Sequence, residues 1–171
     1  MPNNNNQKKI DFSHLFIGVG GAMIGAWWIK NEVAEWKKSR AEKDHPEDVE
    51  EVCKEIAELL DDWTPTDCKS ENDYTIDLFN YLADNCDYEI EMYPNTSEGR
   101  PDILIENLLV LELKVNPNKA ERDRLVTQCM GYSRQWVTWA IVIDASASKT
   151  GKIENLLADK GLEYILVIPY S

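Results

Sequence analysis

Two apolar stretches, Ile103-Leu104-Ile105 and Leu108 to Leu111, are separated only by Glu106-Asn107, and charged residues stand at their outer ends. Short runs rich in aliphatic and β-branched residues, joined by two residues of turn character, predict a β-hairpin whose strands lie in a sheet core. Asp102 follows Pro101 at the opening of the first strand, and Glu112-Leu113-Lys114 falls near the end of the second. Side chains at i and i+2 of a strand share a face, so Glu112 and Lys114 point one way while Leu113 and Val115 point into packing. A charge carried so deep costs about 3 to 5 kcal/mol when its partner is missing. A bound cation is the natural compensation for the two carboxylates.

The remaining pattern predicts an α/β fold. Val49, Val52, Cys53, Ile56, Leu59, Leu60 and Trp63 recur at steps of three and four, which marks an amphipathic helix starting near Pro46 and packed on its own domain or on a twin chain. From Ser70 onward the predicted order is helix 70–84, strand 88–93, the hairpin, helix 121–136, strand 139–144, helix 151–160 and strand 164–169. A mixed sheet flanked by helices follows from that order. The expected organisation is a polar, disordered tail at 1–11, an apolar glycine-rich helix at 12–29, a charged stalk with the amphipathic helix at 30–66, and the α/β domain at 67–171.

Residues 12–29 carry no Asp, Glu, Lys or Arg and end at Trp27-Trp28 followed by Lys30. About 27 Å of helix and two interfacial aromatics suit a single membrane anchor. Gly21 and Gly25, four apart, suit close helix contact, so burial within a protein assembly is the other reading. A cleaved leader fits less well, because bulky tryptophans stand where small residues are needed. The excess of Lys30, Lys37, Lys38, Arg40 and Lys43 over Lys8 and Lys9 would keep the following domain cytoplasmic.

The net charge is −13 and unevenly spread: residues 44–98 hold 18 acids against Lys54 and Lys69, whereas 99–171 hold nine acids and nine bases. Such an acidic block is most simply a solvated helix face. Its field repels polyanions at long range, so any nucleic-acid binding by the isolated chain is expected to be weak and strongly salt-dependent. Cys53, Cys68, Cys86 and Cys129 form no CxxC pair and have only His14 and His45 for company, which suggests neither zinc nor redox chemistry. Reduced cysteines in a reducing compartment are expected.

Gly99-Arg100-Pro101-Asp102, Glu112-Leu113-Lys114 and Gln128-Cys129-Met130-Gly131-Tyr132 occur in that order, on a strand opening, a strand end and a helix. In this respect the chain resembles the PD-(D/E)xK nuclease superfamily, with a restriction-endonuclease-like core, and Gln128 with Tyr132 looks like the QxxxY element of its RecB-like branch. The stretch from Asp102 to Tyr132 is also similar to small nuclease-like proteins named for a GxxExxY motif, although that motif is not evident here. The resemblance implies a Mg²⁺-dependent deoxyribonuclease, with Mn²⁺ as a substitute and DNA as partner. Asp102 and Glu112 would be metal ligands, Leu113 would lend its carbonyl oxygen, and Lys114 would position or activate the attacking water. Hard Mg²⁺ favours such oxygen donors.

The same resemblance implies that Gln128 and Tyr132, one helical turn apart, orient the site or a phosphate; a polar shoulder of an amphipathic helix is the plainer alternative. Glu71 reads either as a further metal ligand or as an acid favoured in a first helical turn. Arg100, Lys119, Arg122, Arg124 and Arg134 are the candidate phosphate contacts. The competing functional expectations are a catalytically silent nuclease fold acting as a structural or interaction protein, and an accessory subunit of a multi-component complex.

Overall fold

The computed structural model describes residues 49–162 and 165–170, together with Ala34. Its elements are α1 (Val49–Asp62), α2 (Glu71–Asn85), β1 (Ile90–Met92), β2 (Ile103–Ile105), β3 (Leu109–Val115), α3 (Lys119–Tyr132), β4 (Val137–Ile143), α4 (Ala147–Ala158) and β5 (Leu166–Tyr170). The five strands form one mixed sheet in sequential order, antiparallel from β1 to β3 and parallel from β3 to β5. The α/β expectation is met, with helices on both faces of the sheet.

Alternation along the strands explains the layering. Ile103, Ile105, Leu109, Leu111 and Leu113, with Trp139 and Ile141 of β4, form one core with Leu78 and Leu82 of α2 and the buried stripe of α1. The opposite face carries Ala140, Val142 and Val167 against Leu125, Val126 and Cys129 of α3 and Ile153 and Leu157 of α4. Leu104 and Val110 meet Tyr132 and Trp136 on that same face. A charge at an even-numbered position of β3 therefore points toward α3.

The hairpin turn is the predicted Glu106-Asn107 pair, both at φ 51°, the left-handed geometry that a two-residue turn between twisted strands demands. Glu106 helps itself by accepting the Glu89 N–H at 2.6 Å, and Asn107 accepts the Trp136 indole N–H at 2.9 Å. Trp136 accounts for a boundary difference. The helix predicted to run to 136 ends at Tyr132, because the chain turns there to bring the indole onto the hairpin. The start of α3 also lies earlier, where Asn118 and Glu121 exchange reciprocal hydrogen bonds in a capping box. Ser70 and Asp73 cap α2 in the same way. The first strand is shorter than predicted at both ends: it begins at Ile90 and stops before Tyr93, which turns to φ 53°.

The expectation of a transmembrane helix is corrected: among the described residues, no helix is long and apolar enough to cross a membrane. The longest, α2, has 15 residues, about 22 Å against a hydrocarbon core of about 30 Å, and it is polar on one side. Residues 12–29 lie outside the described residues, as do the polar tail and the basic stretch after Lys30 apart from Ala34. None of the four cysteines is in a disulfide.

Trp63 fastens the end of α1 to the rest. Its indole N–H donates to Asp77 Oδ1 at 2.7 Å and its ring lies 4.8 Å from that of Tyr170 on β5. Trp63→Ala should lower the unfolding free energy by about 3–5 kcal/mol in urea denaturation, whereas Trp63→Phe, which keeps most of the packing, should cost about 1 kcal/mol more than it would without the lost hydrogen bond.

Candidate metal centre and active site

Asp102 and Glu112 come together by strand register. Ile103 pairs with Leu111 in the antiparallel β2–β3 ladder, so one step further Asp102 stands opposite Glu112 and shares its face. The Leu113 N–H donates to Asp102 Oδ2 at 2.7 Å, which fixes the carboxylate across the strands. Beside Glu112 in the parallel ladder stands Ala140, the one small side chain of the β4 run, leaving room for the carboxylate where its neighbours would fill the space. Asp102 is 9 % exposed, Lys114 7 % and Glu112 1 %.

Lys114 lies on the same face, two residues along β3. Its Nζ donates to Glu112 Oε1 at 3.2 Å, to the Leu113 carbonyl at 2.6 Å, and to Glu71 Oε1 at 2.8 Å. Glu71 reaches it from the first turn of α2, so the helix-start acid also enters this group of charges, as the partner of Lys114. One ammonium faces three carboxylates, a formal excess of two negative charges. Glu112 Oε2 is buried with no hydrogen-bond partner, as is Gln128 Oε1. An orphaned carboxylate oxygen in an electronegative pocket is what a hard cation would satisfy. The oxygen donors thus fit Mg²⁺ chemically. Among the described residues, however, no group of three or more His, Cys, Asp or Glu side chains is gathered closely enough to hold a metal ion as they stand.

The electrostatics follow from burial. Loss of water raises the Glu112 carboxyl to about 7, and the facing Asp102 charge pushes it the same way. Burial also raises Asp102, against the pull of Lys114 and the Leu113 N–H. Burial alone would lower Lys114, but Glu112, Asp102 and the hydrogen bond to Glu71 outweigh it and raise the ammonium to about 12. Lys114 is therefore fully charged at neutral pH, while the two carboxyls resist being charged together.

Gln128 and Tyr132 project from α3 over this group. Tyr132, one helical turn from Gln128, has its hydroxyl raised to about 12 by burial and by the Glu112 charge. Gly99, at φ +129°, adopts a backbone conformation that favours glycine before Arg100, and it lies against the Tyr132 ring. Cys129, fully buried between the two, is pushed up by burial and then by Glu112, so it is an inert wall of the site.

The five basic candidates separate. Arg124, on the same helical stripe as Gln128 and Tyr132, is exposed and its charge acts on Asp102. The others are engaged elsewhere: Lys119 with Asp123 at 2.9 Å, Arg122 with the Pro117 carbonyl at 2.9 Å, and Arg134 with Glu98 at 3.5 Å. Arg100 bonds the Tyr93 carbonyl at 3.0 Å and lies 5.0 Å over the Tyr93 ring. Sequence reasoning missed Ala140 and Cys129; the only signal for Ala140 was one small residue in an otherwise bulky strand. Two surface concavities, of about 380 and 450 Å³, lie elsewhere, among the acids of α1 and the end of α2.

A carboxyl whose folded-state pKa is raised stabilises the fold below its unfolded value and loses that contribution as pH rises through the folded value. In chelator, the melting temperature should therefore fall between pH 5 and pH 8 as Glu112 ionises near 7, and Glu112→Gln should flatten that fall in a thermal-melt series.

Comparison with family models, with curated proteins and with solved structures returns no match for this chain.

Proposed function

We propose that this chain is a metal-dependent nuclease with a restriction-endonuclease-like core that hydrolyses DNA phosphodiester bonds. The observation that carries the reading is the opposed, buried pair Asp102 and Glu112 with Lys114 beside them, an oxygen of Glu112 lacking any partner. With its three carboxylates ionised this group carries a formal excess of two negative charges over Lys114, which one divalent cation would neutralise. Asp102, Glu112 and the Leu113 carbonyl would hold Mg²⁺, with Glu71 close by. The chemistry a bound Mg²⁺ would supply is a water of lowered pKa and polarisation of the phosphoryl oxygen.

The chain's own groups do the rest. Lys114, charged throughout the neutral range, orients the attacking water and steadies the negative charge that grows on the phosphoryl oxygens. Tyr132 keeps its proton and, one helical turn from Gln128, presents a polar edge beside the carboxylates. Arg124, at the solvent end of that stripe, receives a backbone phosphate. A second reading, a nuclease fold without catalysis that binds a partner protein, is favoured by the acidity of residues 44–98, where 18 acids face two bases.

Purified protein incubated with linear, circular and single-stranded DNA should cleave in Mg²⁺ or Mn²⁺ and not in chelator. Asp102→Ala and Lys114→Ala should each lose at least about 100-fold of that activity; full cleavage by both variants would overturn the reading. Arg124→Ala should raise the KM for DNA by about tenfold, whereas Lys119→Ala, Arg122→Ala and Arg134→Ala should each shift it by about twofold or less in the same steady-state assay.

A further inference from the structure

Lys114 does more in this arrangement than balance charge. Its ammonium takes the Leu113 carbonyl at 2.6 Å and Glu112 Oε1 at 3.2 Å, two of the oxygens that a metal at this site would need. It also holds Glu71 Oε1 at 2.8 Å, engaging the carboxylate that would enlarge the donor set. The result is a site whose donors have the right chemistry but are not gathered around one point. Glu112 Oε2 is left over because a single ammonium cannot reach both oxygens of a buried carboxylate while bonding two other acceptors.

We infer that Lys114 is an internal competitor for the divalent cation: its ammonium occupies the cradle in the metal-free protein and must withdraw from the Leu113 carbonyl and Glu112 before a metal is held. The inference rests on the metal-site reading above and adds a regulatory step to it. Withdrawal is local, since the long aliphatic stem of a lysine can swing its head toward solvent while the stem stays packed. Glu71, about two-fifths exposed, lies on the outward side and gives the ammonium a partner as it leaves. The exchange is one cation for another, so the buried carboxylates are never left without compensation. It ties the arming of the site to the metal: only when the cation is in place is the ammonium released to act on water and phosphate.

Competition predicts tighter metal binding once the ammonium is removed, which loss of any nearby positive charge also gives, and displacement of the ammonium by the metal, which a purely supporting lysine would not give. Lys114→Met keeps the stem and removes the charge. Isothermal titration of Mg²⁺ into the full chain should show Lys114→Met binding at least about tenfold more tightly than the native protein, although the same change abolishes cleavage. In the native protein, Nζ-labelled NMR should show a slowly exchanging ammonium from Lys114, the one buried lysine among the described residues, that is lost on saturation with Mg²⁺. If Lys114→Met does not fold without metal, that resonance decides alone. Equal or weaker Mg²⁺ binding by a folded Lys114→Met, or a protected ammonium that persists in the metal-saturated protein, would overturn the inference and leave the nuclease reading standing. No Mg²⁺ binding by either protein at millimolar concentration would overturn both.

Discussion

The Leu113 N–H to Asp102 hydrogen bond is small in energy, yet the site depends on it. A backbone amide bonded to a carboxylate contributes about 1.5–3 kcal/mol. Here it also sets where the first acid of the site can be, because it joins the last residue before β2 to the strand that carries the second acid and the lysine. Slip the β2–β3 register by one residue and Asp102 changes faces relative to Glu112, the leucines of β3 turn toward α3, and both cores come apart. Fold and site are therefore specified by one alignment. The turn at Glu106-Asn107, each at positive φ, holds that alignment from the other end of the hairpin.

The parallel half of the sheet supplies depth. β4 is buried along all seven residues and covers the second edge of β3, so Glu112 and Lys114 sit inside the sheet and not on a rim. Depth makes the electrostatics strong: the same three charges at the surface would be screened and of little consequence. In the core, loss of water and the facing Asp102 raise Glu112 to about 7, while the carboxylates outweigh burial and raise Lys114 to about 12. The groups that would bind and activate lie at the carboxyl end of β3, beside the loop into α3, a common location for sites in sheets with parallel crossovers.

Acidity on the opposite side of the molecule has a different character. Glu50, Glu51, Glu58 and Asp62 of α1 and Asp84 of α2 are exposed, and α1 has a wholly apolar buried stripe. They oppose polyanions at long range without touching the site. A DNA strand would have to approach the α3 side, where Arg124 lies near Asp102 and where residues 99–171 carry as many bases as acids.

Much of this was legible in the sequence. The order of the described helices and strands was readable, most clearly for α1, where a stripe at steps of three and four reflects which face is buried. The hairpin and the pairing of Glu112 with Lys114 on one face followed from strand geometry alone. Ends of elements were less legible: the termination of α3 at Tyr132 depends on an indole reaching Asn107, twenty-nine positions earlier in the chain. Which arginine lies near the acids, that Glu71 meets Lys114 across 43 residues, and that Ala140 clears space for Glu112 were decided only by tertiary structure. The physical reason is range. Hydrophobic periodicity and turn chemistry are local and are written in neighbouring residues, whereas the convergence of charges from α2, β2, β3 and α3 depends on how distant segments pack, and no single segment records it.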